Sequence, residues 1–410
     1  MIECWRIAYR NMWRNKRRTI IIILSISFAL SSVIFMKGIG LGLYYKATES
    51  AVKSYTGYFQ IQNSNYFEDK IIDYSFDTSL IDTALFHHKH INAYSPRIEG
   101  YSLASTGMQT KGAMIVGIDG EKENQLTELG KRIIEGEMFS SVTDNEIIIG
   151  KELAKYLNVS LKDTVILLGQ GYHGTTAAGQ YTVKGIVHYP TAQELNKQII
   201  YMPLLTCQDL FSAYGQITSI AVNVTNQKVM EETHSYLSSM LSENKELTII
   251  PWNLILSDFE KILKADMQSM NFIMVILYVI VGFSIFGTVL MMTVERRREL
   301  GIMYAIGVKK QRLRMILSFE MLSITLAGIL VMVITTLPMA YYMHINPMSF
   351  PEAQAVRLAA YGYEPYMHMA WQSDYIINQV IIVLVIAVIS CIYPILKATN
   401  IKNIPTSLRQ

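Results

Sequence analysis

The chain has 410 residues, of which 51% are hydrophobic and 17% charged, against about 25% charged in an ordinary soluble domain. The net charge of +3 gives no overall basic field to argue for nucleic acid. Of three cysteines, Cys4, Cys207 and Cys391, only Cys207 lies in the long polar middle, so that region has no internal disulfide and must be held by its own core.

Taken in chain order, residues 1–18 form a basic segment with Arg6, Arg10, Arg14, Lys16, Arg17 and Arg18. The first apolar run, Thr19 to Met36, would be about 27 Å long as a helix, close to the roughly 30 Å hydrocarbon core. Gly38 to Tyr45 extends it past Lys37, giving a predicted span over 19–42. The run exceeds a signal-peptide core, and no small-residue cleavage site follows, so it reads as a signal anchor. Residues 43–268 read as a folded domain. Strands are expected at Tyr55–Gln62, Gly112–Ile118, Glu146–Ile149, Thr164–Leu168, Tyr181–His188 and Ile217–Val224, with helices at Lys151–Asn158 and Asn226–Glu243. From Asn253 to Gln268 apolar residues recur at helical spacing and run into a second span over 269–294 without a Pro or Gly break. Both flanking helices could therefore act as a stalk.

Residues 295–314 form a charged loop. A third span follows over 315–337, with Glu320 as its only charge, then a Tyr- and Met-rich loop over 338–374 on the outer face. The fourth span covers 375–396, with Pro394 near its end, and 397–410 is a tail. Lys and Arg crowd the first segment, the loop after the second span and the tail, whereas the 338–374 loop holds only Arg357. The asymmetry predicts both termini in the cytoplasm and the large domain outside, in a multi-pass protein of the inner membrane. The expected fold class is an α-helical membrane protein with four transmembrane helices and an α+β extracytoplasmic (periplasmic) domain inserted between the first and second.

No G-x-x-x-x-G-K-[ST] phosphate loop occurs in the chain: Gly130-Lys131 is followed by Arg132 and Gly150-Lys151 by Glu152. No H-E-x-x-H or C-x-x-C spacing exists, so no metal site and no catalytic residue is expected. His87, His88 and His90 read as a solvated loop. Within the spans only Lys37 and Glu320 are charged, both near span ends. Lys37 can snorkel outward, and Glu320 can reach Arg312, Arg314 or interfacial water as an interfacial charge. The spans thus lack the polar path of a pump, and they read as levers.

The loop after the second span reads Glu295-Arg-Arg-Arg-Glu-Leu-Gly-Ile-Met-Tyr-Ala-Ile-Gly-Val-Lys-Lys-Gln-Arg-Leu. As a helix it places Ile302, Ala305 and Ile306 on one face, while Gly301 and Gly307 allow close approach of another backbone. Two readings fit the residues: a helix docking into a groove of a cytoplasmic partner, and a basic anchor at lipid headgroups.

This loop resembles the E-R-R-R-E-I-G-x-x-x-A-I-G-A motif of the FtsX-like ABC transporter permease superfamily, which includes the LolC/LolE and MacB permeases. Gly136-Glu-Met-Phe, Glu146-Ile-Ile-Ile-Gly-Lys-Glu-Leu-Ala, Leu157-Asn-Val with Asp163-Thr-Val, and Tyr181-Thr-Val-Lys-Gly-Ile-Val are similar to a MacB-like periplasmic core domain. Arg6 to Arg18 resembles the family's start. Tyr393-Pro, Lys397-Ala and Ile404-Pro-Thr-Ser-Leu-Arg resemble its tail.

The resemblance implies a separate ABC ATPase subunit, which would carry the ATP and Mg and dock on Glu295, Arg296, Arg297, Arg298, Glu299, Gly301, Ile302, Ala305, Ile306 and Gly307. It implies a dimer with a second permease copy or paralogue, and no cofactor or enzymatic activity in this chain. Within the superfamily the LolC/LolE lipoprotein-releasing permeases fit best. MacB-type efflux or peptide export, and FtsX-type regulation of a cell-wall hydrolase, are the alternatives. Gly171, Tyr172, His173 and Gly174 lie where such a permease would contact a client or a periplasmic carrier or adaptor. The plain alternative for them is a hairpin turn.

Overall fold

The computed structural model describes residues 6, 9–10, 13–14, 16–139, 141, 143–190, 192–242, 244, 246–295, 297–360 and 365–399. The tail from 400 onward and most of the first fifteen residues, with the motifs read there, lie outside the described residues. The chain divides into two compact units. One comprises Met1–Tyr45, Leu263–Phe350 and Tyr366–Gln410, the other Lys46–Ile262 and Pro351–Pro365.

Among the described residues, four helices are long and apolar enough to cross a membrane, all or most of each within the first unit: Thr19–Thr56, Ser257–Glu295, Lys310–Ile345 and Ser373–Lys397. The shortest has 25 residues, about 38 Å at 1.5 Å per residue, which exceeds the hydrocarbon core. Leu30, Ile34, Val289, Ile324, Met332 and Val383 form their common core. Phe28, Phe272 and Phe283 point outward at 75%, 69% and 72% exposure, which suits lipid and would be costly in water.

Close packing comes from small residues and hydrogen bonds, as expected where lipid removes the hydrophobic drive between helices. A Cβ on Gly328 would sit 2.8 Å from Ile26 Cγ2. Ser31 and Thr336 share a hydroxyl–hydroxyl bond of 2.5 Å, and Tyr278 donates to Gln379. Lys37 donates to Asn271 Oδ1 at 2.9 Å, so its reach toward the span end finds a protein partner.

The connection between the third and fourth spans is structured. The third helix continues through Pro338 to Ile345, beyond the predicted end at 337, because Met339 to Met343 keep its apolar pattern going. The backbone of 368–370 returns to the first span helix. Ala370 N–H donates to Gly38 O at 2.9 Å, and Gly42 lies so close to the His368 carbonyl that no Cβ would fit. Tyr375 O–H donates to Ala370 O at 2.9 Å, and a His344 ring nitrogen lies 2.7 Å from Met369 O.

The second unit holds the inserted domain. Its strands are β1 (Phe59–Asn63), β2 (Phe76–Asp77), β3 (Ile91–Ser105), β4 (Thr110–Ile118), β5 (Ile133–Gly136), β6 (Glu146–Gly150), β7 (Thr164–Gln170), β8 (Thr176–Val187), β9 (Ile199–Pro203), β10 (Gln216–Ile217), β11 (Ser219–Val224) and β12 (Leu247–Pro251). Ten of them form one mixed sheet. The pairings β3–β4, β4–β9, β9–β6, β6–β8, β8–β7 and β7–β3 close into a ring of six strands, and closure removes free edges. Ile115, Ile147, Ile149, Val165, Leu167, Val183 and Ile200 share its hydrophobic core. The Glu146–Gly150 strand sits between two neighbours and buries Ile148 in a second cluster on its other face, which explains its unbroken apolar run.

The first half of β3 leaves this ring to pair with β11, which pairs in turn with β1 and β12. At the changeover, Gly100 faces the Phe211 ring, which would stand 2.5 Å from a Cβ there. Tyr55, expected in a strand, instead belongs to a wide helical turn, Val52–Thr56.

A buried polar cluster organises this part. Arg97 and Glu123 are both fully buried. Arg97 Nε and Nη2 donate to the two Glu123 oxygens at 2.9 and 2.7 Å, and the guanidinium lies 4.4 Å from the Tyr55 ring centre. Burial opposes the Arg97 charge, but the Glu123 carboxylate overcomes this and holds its pKa above the usual range. Tyr55 and Tyr66 donate to the two oxygens of Glu99 at 2.5 and 2.9 Å.

Cys207 is completely enclosed. Its thiol lies 3.9 Å from Ile98 O, and burial pushes its pKa up, so little thiolate forms. Folded protein at pH 8 is expected to leave Cys207 unalkylated by iodoacetamide, with reaction on unfolding in denaturant. Peptide mapping of the alkylated chain checks this.

Candidate functional site

The loop after the second span forms a helix, Arg297–Ala305, between the helices ending at Glu295 and starting at Lys310. Its inner face carries Leu300, Met303 and Tyr304, and all three pack on the core of the spans. That spacing of three and four residues marks one helix stripe. Gly301 is buried beside them.

The opposite face carries Glu299, Ile302 and Ala305, all exposed, and Ile306 follows at its end. Ile302 and Ile306 are 47% and 76% exposed. Arg14 pairs with Glu299, tying the N-terminal basic segment to the start of this helix. Arg298 is exposed next to it. Arg296 and the side chain of Arg297 lie outside the described residues.

Gly307 terminates the helix. Its φ is +96°, a left-handed conformation that costs a residue with a Cβ about 1–2 kcal/mol. Val308 N–H donates to Met303 O at 3.1 Å and Gly307 N–H to Tyr304 O at 3.0 Å. These two bonds close the helix in the Schellman pattern. No atom lies within 4 Å of a Cβ built on Gly307, so within this chain it serves termination and not close packing. Gly307→Val is expected to cost about 1–2 kcal/mol through the backbone alone. A fall in thermal midpoint with helix content retained checks it.

Glu320 falls on the buried stripe Leu313, Ile316, Leu317, Glu320, Met321 and Ile324, while Arg312 and Arg314 are exposed. Its side chain is fully buried, which sets aside interfacial water among the three partners the sequence offered, Arg312, Arg314 and water. Helical spacing puts it on the packing face.

Gly171 to Gly174 form the tip joining Thr164–Gln170 and Thr176–Val187. Tyr172 N–H donates to Phe211 O at 2.8 Å, and His173 N–H donates to Asp73 Oδ1 at 2.7 Å. His173 adopts a left-handed conformation, φ 51°, and its ring lies 3.9 Å from that of Tyr172. His173 and Gly174 are exposed. The tip thus presents one imidazole from an anchored turn. It belongs to the second unit, and the Arg297–Ala305 helix to the first. His88 stacks on Tyr236 and His90 pairs with Glu232 at 3.3 Å. Among the described residues no group of three or more His, Cys, Asp or Glu could hold a metal ion.

The chain thus combines four helices long and apolar enough to cross a membrane, a mixed α/β domain after the first of them and a short helix after the second. The chain belongs to the family of MacB-like periplasmic core domain proteins, matched over residues 19–239, and an FtsX-like permease C-terminal domain matches residues 271–402. It is 22% identical to the macrolide export ATP-binding/permease protein MacB of Campylobacter jejuni over 368 residues, covering 85% of this chain and 55% of that one. It is 21% identical to MacB of Aggregatibacter actinomycetemcomitans over 345 residues, covering 80% of this chain and 51% of that one. The chain therefore spans about half the length of these curated relatives.

Among solved structures, it is similar to the periplasmic region of MacB from Actinobacillus actinomycetemcomitans. The TM-score is 0.35 at 18% identity, covering 49% of this chain and 92% of that one. It is also similar to the extracellular domain of the noncanonic ABC-type transporter YknZ from Gram-positive bacteria. There the TM-score is 0.35 at 14% identity, covering 47% and 98%.

Proposed function

We propose that this chain is the permease subunit of an ABC-type complex that passes ATPase-driven motion to its inserted domain. The observation that carries the reading is the Arg297–Ala305 helix. Its inner face is fixed to the spans, while Ile302, Ala305 and Ile306 stand open, as a docking helix requires. Its ends are flanked by charge, which would orient a partner more than hold it. These 410 residues contain no phosphate loop, so ATP and Mg would be held by an ATPase partner outside this sequence. A second permease copy or paralogue would complete the assembly, as the resemblance to FtsX-like permeases implies.

For the client, release of lipoproteins from the inner membrane is the reading the sequence favoured, and export of the MacB kind is favoured by the curated relatives. Both use the same coupling device. Depletion separates them: lipoproteins held in the inner membrane support the first, and raised macrolide or peptide sensitivity with normal lipoprotein sorting supports the second. Division defects with neither change would favour regulation of a cell-wall hydrolase. A tagged chain extracted in mild detergent is expected to bring an ABC ATPase with it in near-equal amount. Purification with no ATPase from an active membrane would contradict the proposal.

A further inference from the structure

The first span helix carries Gly38, Gly40 and Gly42 close together, although glycine is a poor helix former. Each is needed for close approach. The sulfur of Met270 stands where a Cβ on Gly40 would be. Gly38 and Gly42, four residues apart, share the other face of the helix, and that face receives the backbone of 368–370. A Cβ on Gly42 would collide with the His368 carbonyl, and one on Gly38 would lie 2.7 Å from Met369 Cε. Small residues at this spacing commonly seat a second helix in membranes. Here they seat an irregular segment of the same chain. It runs from the short pairing of Met348–Ser349 with Tyr366–Met367 to the fourth helix, which starts at Ser373.

Gly38 is nineteen helical steps from Thr19, about 28 Å, close to the far side of the roughly 30 Å hydrocarbon core. Irregular backbone at that depth must find its hydrogen bonds within the protein. This segment finds them on three helices at once. Ala370 N–H donates to Gly38 O on the first, a His344 ring nitrogen on the third meets Met369 O, and Tyr375 on the fourth donates to Ala370 O. Met369 and Ala370 are 1% and 7% exposed. The third of these helices follows directly on the Arg297–Ala305 helix. The first continues without a break to Thr56, at the start of the inserted domain.

We propose that residues 368–370 are a strap that carries displacement of the third and fourth span helices to the first, and so into the inserted domain. The proposal rests on the coupling reading above and names the contact by which motion reaches the first helix. The strap stays bonded while the helices move, so the three helix ends that it joins travel as one body.

Hydrogen exchange of the full chain in lipid discs, alone and with its ATPase, tests this, because a bonded amide is protected. The Ala370 amide is expected to exchange slowly in the native chain and about tenfold faster in Gly42→Leu, whose side chain takes the place of the strap. Equal exchange in the two would overturn the proposal. In the complex the same amide should stay slow when the ATPase is trapped with ATP and vanadate. A rise to the rate of Gly42→Leu would mean that the strap lets go, and the proposal falls. The turn Val52–Thr56 should change its exchange on trapping in the native complex and lose that change in Gly42→Leu with the ATPase still bound. A native turn that does not respond, or a response kept by the variant, would sink the strap alone. A chain that binds no ATPase would remove the coupling reading and the strap's role with it. If Gly42→Leu does not fold, Tyr375→Phe takes its place in each comparison, with about threefold faster exchange expected at Ala370.

Discussion

Replacing Glu123 by alanine is expected to destabilise the inserted domain by about 3–5 kcal/mol, the range for removing one partner of a buried ion pair. Arg97 and Glu123 are both inaccessible to water, so the variant leaves a guanidinium buried without its carboxylate. The Tyr55 ring at 4.4 Å can offset only part of this, because a cation–π contact contributes about 2 kcal/mol even when desolvated. For a domain of this size the thermal midpoint should fall by about 6–20 °C. The paired variant Arg97→Met with Glu123→Leu should recover most of the loss, because apolar groups of similar volume in place of a buried pair are often neutral. Thermal unfolding of the three variants measures both. A loss below about 1 kcal/mol for Glu123→Ala would mean that water reaches the pair.

The second large effect is expected on the Arg297–Ala305 helix. Ile302→Glu together with Ile306→Glu should weaken the ATPase at least about thirtyfold, or ~2 kcal/mol, the scale of losing central apolar anchors from an interface. Both side chains are exposed in the chain alone, so the variant should keep its helix content and elution volume. That separates lost docking from lost folding. Titration of the purified ATPase against chain in lipid discs measures the affinity. Leu300 makes the contrasting control: it is 2% exposed, so Leu300→Glu should impair the fold itself.

The spanning helices were legible in the sequence because length and apolarity alone specify them, and in lipid no other element competes for such a run. The 338–374 connection was less so, since its return to the first helix depends on Gly38 and Gly42 meeting the 368–370 backbone. Such a contact leaves no periodicity. In the inserted domain, Gly112–Ile118 and Glu146–Ile149 fall within observed strands because their inward positions are apolar. The longest strand, Ile91–Ser105, went unread. Ser95, Arg97 and Glu99 are buried along it, and charged inward residues imitate a solvated loop. Its Pro96 and Gly100 look like breaks. Only the partners Glu123, Tyr55 and Tyr66, distant in sequence, make that pattern a strand.

At the candidate site, the apolar face with Ile302 and Ile306 could be read from helical spacing. The role of Gly307 could not, because its left-handed conformation depends on hydrogen bonds to Met303 and Tyr304. The burial of Glu320 was missed for a related reason. Distance from the span end suggested Arg312, Arg314 or water as its surroundings, whereas the stripe from Leu313 to Ile324 places it on the packed face.

A photoreactive benzoylphenylalanine at position 306 tests the docking of a separate ATPase most directly. Irradiation of intact membranes, followed by mass spectrometry of the adduct, is expected to yield this chain joined to a protein that carries a G-x-x-x-x-G-K-[ST] phosphate loop. The adduct should disappear when Ile302→Glu is added. Adducts to lipid alone, in membranes where the complex is active, would contradict docking at this helix and return the segment to a basic anchor at the headgroups.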